Sequence, residues 1–251
     1  MEMSSEIIDL RTVRDESLLD HLYQTLYLPN FHTPEQQEDP SIWKPLLWGP
    51  VPPPPKPILH ILVAGQHVRA QERRILYGFL ILEFFRTSAC GLLTYLAVDQ
   101  NARRRGVARL LLAKAIGQLK ADARAQGTEL RAVFAEVNDP ALVSESEGAI
   151  TPAERVRIFE RLGARQVPVR YVQPQLKPGR GRSDTLLLIA LPIGSRPPEV
   201  LDPRTVRAFL REFYESLGVD PARDPDFTRM IADLPDGALI LHVPGSVPNP
   251  S

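Results

Sequence analysis

Apolar residues recur along this chain in two rhythms. Near-continuous apolar runs at Ile58–Ala64, Ile75–Phe85 and Gly91–Val98 are joined by the polar stretches Gly65–Arg74 and Arg86–Ala89, and they predict an antiparallel meander. A shorter run, Glu6–Leu10, predicts a strand ahead of them. Helical spacing appears at Leu18, Leu22 and Leu26 beside Leu19, which predicts a helix over Asp15–Leu26. It returns at Leu112, Ile116, Leu119 and Ala123, with Val107 and Leu111 on adjoining positions and Gly127 as the stop. A strand over Glu129–Val137 follows. Strand, helix and strand make a crossover unit, which sets the last strand parallel to Gly91–Val98.

Asn138-Asp139-Pro140 ends that strand, and a polar loop runs through Ser144–Gly148. Thr151 as cap, Pro152 at the first helical position and Glu154 at the third then predict a helix that runs to Gly163. Two more strands, Ala164–Val172 and Ser183–Leu191, flank the linker Pro174–Arg182. Past a break at Ser195–Pro198, helices are predicted over Pro203–Leu217, with Val206, Leu210, Phe213 and Tyr214 on one face, and over Asp224–Leu234. The segment 28–57 differs from the rest. Pro29, Pro34, Pro40, Pro45, Pro50 and Pro52–Pro55 forbid a long helix or central strand there, so it reads as irregular, with polyproline II in Val51–Lys56.

Composition narrows the function classes. Lys plus Arg and Asp plus Glu number 30 each, so no global field calls for nucleic acid or an acidic membrane. The 43% hydrophobic content is enough for a proper core. A single cysteine, Cys90, excludes an internal disulfide and reads as a buried, inert thiol. His21, His32, His60, His67 and His242 show no metal spacing, and no metal is expected. With no basic-then-apolar leader and no run long enough to span a bilayer, the expectation is a cytoplasmic protein that meets neither membrane nor nucleic acid.

Local chemistry is richest just after the third meander strand. Asp99-Gln100-Asn101 leads into Arg103-Arg104-Arg105-Gly106-Val107-Ala108, which opens the long helix. A helix start leaves backbone N–H groups without partners and carries partial positive charge. Gly106 has no side chain to keep an anion from those amides, and three arginines surround them. This is a phosphate cradle. The spacing Arg103-x-x-Gly106-x-Ala108, straight after a strand that ends at Val98, resembles motif A of the GNAT acyltransferase superfamily, as does the element order over residues 5–192.

The resemblance implies an α/β fold with a mixed central sheet of about six to seven strands flanked by helices. Residues 1–192 would form the acyltransferase domain, including the Pro-rich loop 49–57, and 193–251 a small C-terminal helical appendage with a homodimer contact as one open role. It implies acetyl-CoA as co-substrate, its pyrophosphate and pantetheine held by Leu96, Ala97, Val98, Arg103, Arg104, Arg105, Gly106, Val107, Ala108, Arg109 and Asn138. A small-molecule amine would attack the thioester directly, with Tyr95, Arg155 and Trp43 on the acceptor side. For Trp43 and Trp48, packing of the loop is the other reading.

Two carboxylates stand where apolar residues are expected. Glu83 shares a strand face with Tyr77, Phe79 and Ile81, and Glu136 with Leu130, Ala132 and Phe134. A charge on a buried face is paired, neutralised or used, so both are candidate bases; the alternatives are a place just past the covered part of the strand, or pairing with an arginine such as Arg155 or Arg157. The chain departs from the family pattern at Phe159, which occupies the place of a tyrosine acid in Ile158-Phe159-Glu160-Arg161-Leu162-Gly163. A phenyl ring donates no proton. Tyr171, Tyr95 or water is left as the acid. Two classes therefore stand: an N-acetyltransferase for a small amine, and a GNAT-fold protein that binds coenzyme A or an acyl-carrier pantetheine in a regulatory role.

Overall fold

The structure is a computed structural model that describes residues 6–31, 37–143, 150–176 and 181–246. The polar loop at 144–148, His32, Pro34 and part of the 174–182 linker lie outside the described residues. β1 (Glu6–Asp9) leads to α1 (Glu16–Leu22), one π-type turn (Tyr23–Tyr27) and α2 (Pro40–Trp48). β2 (Ile58–Gln66), β3 (Ile75–Phe85) and β4 (Cys90–Val98) follow as the meander, then α3 (Val107–Ala125) and β5 (Ala132–Asn138) as the crossover. α4 (Pro152–Arg161), β6 (Arg165–Gln166) and β7 (Leu186–Ala190) complete the main sheet. β8 (Val200–Leu201), α5 (Pro203–Ser216), α6 (Pro225–Ala232) and β9 (Leu239–Ile240) close the chain.

The seven strands lie in the order β1-β2-β3-β4-β5-β7-β6. Every neighbouring pair is antiparallel except β4–β5, where the crossover through α3 makes the pair parallel. One face of the sheet carries α3 and α4. Leu111, Ala115, Ile116 and Leu119 of α3 pack on Leu80, Leu82, Leu93 and Val133, and α4 adds Val156 and Phe159 to that core. Gly91 makes the approach possible: a Cβ there would sit 2.5 Å from the Leu119 side chain.

The opposite face is covered in two separate patches. Over β2 and β3, α1, the π-type turn and α2 bury Leu18, Leu22, Tyr27 and Trp43 against Phe79 and Ile81. Over the β4–β5–β7 side, α5 buries Val206, Phe209 and Phe213 against Phe85, Leu92, Phe134 and Leu188. Alternation along β3 shows where the cover breaks: Ile81 belongs to the first patch, Phe85 to the second, and half-buried Glu83 lies between them. Along β4 the same break falls at Thr94, exposed in the middle of a sheet strand. Thr94 is the extra residue of a β-bulge, since Ile81 pairs with Tyr95 but Leu82 pairs with Leu93.

Several expectations change. The helix over Asp15–Leu26 is a seven-residue α-helix continued by the π-type turn. The segment 28–57 contains α2, because Asp39 caps Ser41 N–H at 2.8 Å and Pro40 fills the first position, where its missing N–H costs nothing. Pro45 is tolerated in so short a helix, where Trp43 and Leu47 form the buried face. The Pro-rich loop turns, with the Pro53 carbonyl accepting from Lys56 N–H, instead of running on as polyproline II. Tyr77 packs against the α3-side core and not on the face of Glu83, because a register shift between β2 and β3 at Ala64/Gly65 rotates it. Leu130 also packs on the α3 side, ahead of β5. The strand expected over Ala164–Val172 shrinks to β6. Pro168 cannot donate to a ladder, and Tyr171 and Val172 join the core under α5.

Candidate active site

β4 and β5 pair only from Cys90 opposite Ala132 to Leu93 opposite Ala135. Beyond that point the strands part: Tyr95–Val98 stay with β3, while Glu136–Asn138 stay with β7. The bulge at Thr94 marks the fork. A cavity of about 710 Å³ occupies the opening, a volume typical of small-molecule sites. Its walls come from β4 (Leu93, Thr94, Leu96, Ala97, Val98), the turn into α3 with its first helical residues, Glu136 of β5, and α4.

One end of the cavity is built for an anion. Asp15, Asp39, Thr151, Asp202 and Asp224 each cap an α-helix with a side-chain oxygen, and α3 alone among the described α-helices has no such cap. Its N-cap is Gly106, at φ 81°, where an added Cβ would meet nothing within 4 Å. The first intrahelical bond at this end is Leu110 N–H to the Gly106 carbonyl, so the N–H groups of Val107, Ala108 and Arg109 are left to an outside acceptor. No acidic residue lies in the first turn of α3. Arg104 adopts φ 61°, a left-handed conformation unusual for a side-chain-bearing residue and typical of functional turns. Arg103 ties the turn to the strand end through Nε to the Val98 carbonyl at 3.4 Å. Arg103, Arg104, Arg109, Arg155 and Arg161 all line the cavity, against Glu136 and Glu154. The open amides, the bare glycine and the arginines fit a diphosphate.

The other end carries the carboxylate chemistry. Glu136 lines the cavity from the floor. Tyr171 Oη and Gln173 Nε2 (2.9 Å) both donate to its Oε1, and no described residue donates to Oε2. Loss of solvent pushes its pKa up, the two donors pull it down, and the balance is a raised value. Glu83 is pushed to about 8, chiefly by loss of solvent and then by the charges of Glu38 and Glu136, against Lys56 and a hydrogen bond from Thr94. Tyr95 belongs to an aromatic cluster with Tyr27, Phe31 and Trp43, at ring-centroid distances of 5.1, 4.9 and 6.5 Å. Trp43 is buried there, and its Nε1 donates to Glu38 Oε2 at 2.7 Å.

The residues singled out in the sequence are thus distributed unevenly. Leu96, Ala97, Val98, Arg103, Arg104, Gly106, Val107, Ala108, Arg109, Glu136 and Arg155 line the cavity. Arg105, Asn138, Glu83, Tyr95, Trp43 and Tyr171 do not. Tyr171 is fully buried with its hydroxyl committed to Glu136, and burial followed by that carboxylate's charge raises its pKa far above the ordinary phenol value. Phe159 does line the cavity. Sequence reasoning missed Phe31, Thr94, Ile158, Arg161, Leu162 and Gln173. Ile158 and Leu162 were within reach, since Arg155, Ile158, Phe159 and Leu162 share one face at helical spacing. Among the described residues no group of three or more His, Cys, Asp and Glu is placed to hold a metal, and no helix is long and apolar enough to cross a membrane.

A seven-stranded mixed sheet with one parallel pair that forks beside an uncapped helix start is the arrangement of the GNAT fold. Residues 21–142, just under half of the chain, match the acetyltransferase (GNAT) family, a family whose acyl donor is acetyl-CoA. A GNAT-family protein from Bacteroides thetaiotaomicron superposes with a TM-score of 0.54 at 15% identity, over 87% of this chain and 100% of that one. The ribosomal-protein-S18-alanine N-acetyltransferase from Escherichia coli aligns with a TM-score of 0.44 at 18% identity, over 76% of this chain and 94% of that one. A comparison with curated proteins finds no match.

Proposed function

We propose that the protein is an N-acetyltransferase that moves the acetyl group of acetyl-CoA to the amine of a small, cationic acceptor by direct attack, with Glu136 as the base. One observation carries this reading: the uncapped, arginine-ringed start of α3 and the half-satisfied carboxylate of Glu136 line the same cavity, at the fork between β4 and β5. The backbone N–H groups of Val107, Ala108 and Arg109 would hold the diphosphate, with Arg103 and Arg104 as charge partners. Acetyl-CoA, when bound, supplies the activated acyl group.

An amine enters this site as an ammonium, and it must lose a proton before it can attack. Glu136 Oε2 would accept that proton, directly or through one water. The raised pKa of Glu136 brings its basicity closer to what proton removal near neutral pH needs. Glu38 and Glu136 each lie within electrostatic reach of Glu83, and carboxylates on this side of the site favour a cationic acceptor over an anionic one. Among the described lining residues there is no Tyr, His, Cys or Lys, so water supplies the proton to the departing thiolate. Thiolate is a fair leaving group near neutral pH.

Phe159 favours a second reading, in which the protein holds coenzyme A without turnover. A thermal shift with coenzyme A, together with thiol release from acetyl-CoA over a panel of diamines, amino acids and aminosugars, separates the two. Acetyltransfer predicts a higher Tm and thiol release with at least one amine, and Gly106→Glu should abolish the Tm rise by placing a carboxylate in the cradle. A Tm rise with no thiol release from any amine supports the second reading. No Tm rise at millimolar coenzyme A overturns both.

A further inference from the structure

We infer that Gln173, acting with Tyr171, is a positioning residue that fixes which oxygen of Glu136 faces the acceptor, and that α5 and α6 hold this pair in place. The inference rests on Glu136 as the base.

A glutamate carboxylate rotates about its last torsion over a broad, roughly two-fold minimum, so an unrestrained Glu136 would present either oxygen to the cavity in many orientations. Tyr171 and Gln173 remove that freedom. They stand two positions apart on an extended segment, so their side chains project to the same side. Both donate to Oε1, which leaves Oε2 as the oxygen with no described donor. Gln173 reaches in from a half-buried position, whereas Tyr171 is sealed in the core.

The main sheet does not hold this segment. After β6 the backbone leaves β7, and residues 171–173 are fastened from the C-terminal side. Tyr214 of α5 donates to the Val172 carbonyl at 2.5 Å, and Val172 N–H lies 3.2 Å from Met230 Sδ of α6. Gln173 and Ser183 exchange backbone bonds of 2.7 and 3.2 Å. Next to Ser183, Arg182 grips Asp224 with both terminal nitrogens and reaches Asp226 at 2.8 Å, both at the start of α6. The C-terminal helices lie beyond residues 21–142, yet they anchor the strap that orients the base. Glu83 from β3, Tyr171 on the strap and Tyr214 from α5 lie within electrostatic reach of Glu136, and Glu154, Arg155 and Arg161 of α4 with Arg103, Arg104 and Arg109 of the turn into α3 line the cavity it faces.

The test is steady-state kinetics on Gln173→Leu, which keeps the bulk and removes the donor, and on Gln173→Glu, which keeps the shape and replaces the donor with an acceptor. Glu136→Gln is run beside them, with Tm recorded for each. For Gln173→Leu, kcat should fall about ten- to a hundredfold, the range expected for losing one hydrogen bond to a charged group. KM for acetyl-CoA should stay unchanged, and the pH at half-maximal kcat should rise, because a donor that favours the ionised base is gone. Gln173→Glu should raise that pH further by setting a second carboxylate beside the first, and it carries the test alone if the leucine variant does not fold. Wild-type kcat and pH midpoint in a folded Gln173 variant, with Glu136→Gln inactive, would overturn the positioning role and leave the acetyltransferase reading standing. Full activity of Glu136→Gln would remove the base itself and the inference with it.

Discussion

At Glu136 two effects pull against each other. Loss of solvent disfavours the carboxylate, and the bonds from Tyr171 and Gln173 favour it, with burial the larger. A base with a raised pKa is protonated at low pH and works once pH passes that value, so kcat should rise with pH through a midpoint above the ordinary carboxylate range. Glu136→Gln should lower kcat by roughly 10²–10⁴ and flatten that rise, while the Tm increase with coenzyme A survives. Glu83 is the control. With a pKa near 8 it is largely neutral at pH 7, and it faces Thr94 in the break between the two covered patches. Glu83→Gln should therefore affect the acceptor KM more than kcat. A loss of kcat for Glu83→Gln that exceeds the loss for Glu136→Gln would transfer the role to Glu83. The cradle was legible in the sequence because Arg103 to Arg109 are neighbours in the chain and their geometry is local. Thr94 and Gln173 were not, since one depends on a bulge set by strand pairing and the other on a strap placed by distant helices.

Elements were legible where one period ran uninterrupted. The strand read over Ile75–Phe85 is β3 to the residue, and the Thr151–Glu154 box caps α4 with both reciprocal bonds present. Reading failed where proline was treated only as a breaker, at α2, and where an apolar run left the sheet, at Val167–Val172. A contact between elements that no local pattern announces joins β1, β2 and α3. His60 lies 2.7 Å from Asp9 through Nδ1 and 3.1 Å from Asp122 through Nε2, with the imidazole 2% exposed. Burial pulls its pKa down, but Asp122 and Asp9 outweigh burial and raise it. A histidine whose folded pKa is raised contributes stability that is complete below its unfolded pKa of about 6.5 and disappears as pH rises through the folded value. Tm should thus fall as pH rises from about 6.5, and His60→Gln should flatten that fall. Glu83 pulls in the same direction, which is why the comparison is made against His60→Gln and not against an absolute slope. Equal pH dependence in the variant and the parent would show that the bridge carries no linked proton.

For the whole molecule, the question is whether the C-terminal helices melt with the sheet or apart from it. The short length of the 193–251 segment made it read as an appendage, because fewer than about 60 residues bury little by themselves. In the structure α5 takes its core from strand residues: Phe209 stacks on Phe134 at 4.5 Å and meets Phe85 edge-on at 5.6 Å. A buried carboxylate adds to this. Glu212 of α5, 2% exposed, accepts from Thr87 N–H at 2.9 Å, Ser88 N–H at 2.7 Å and Ser88 Oγ at 2.8 Å, at the turn between β3 and β4. These bonds span 124 and 125 residues of chain, so opening α5 leaves the meander's own turn unsatisfied. We therefore predict one cooperative unfolding transition in calorimetry, with the helices and the sheet lost together. Glu212→Ala strands two backbone donors and a hydroxyl, at about 1–3 kcal/mol for each buried group left unpaired. Part of that is relieved by water entering the space, so a net loss of ~3 kcal/mol is expected, or a fall of ~6–12 °C in Tm for a domain of this size. The whole transition should move down as a unit and stay single. Two transitions in the parent, with only the smaller one displaced by Glu212→Ala, would mean that the C-terminal helices fold as a separate unit docked on a self-sufficient sheet.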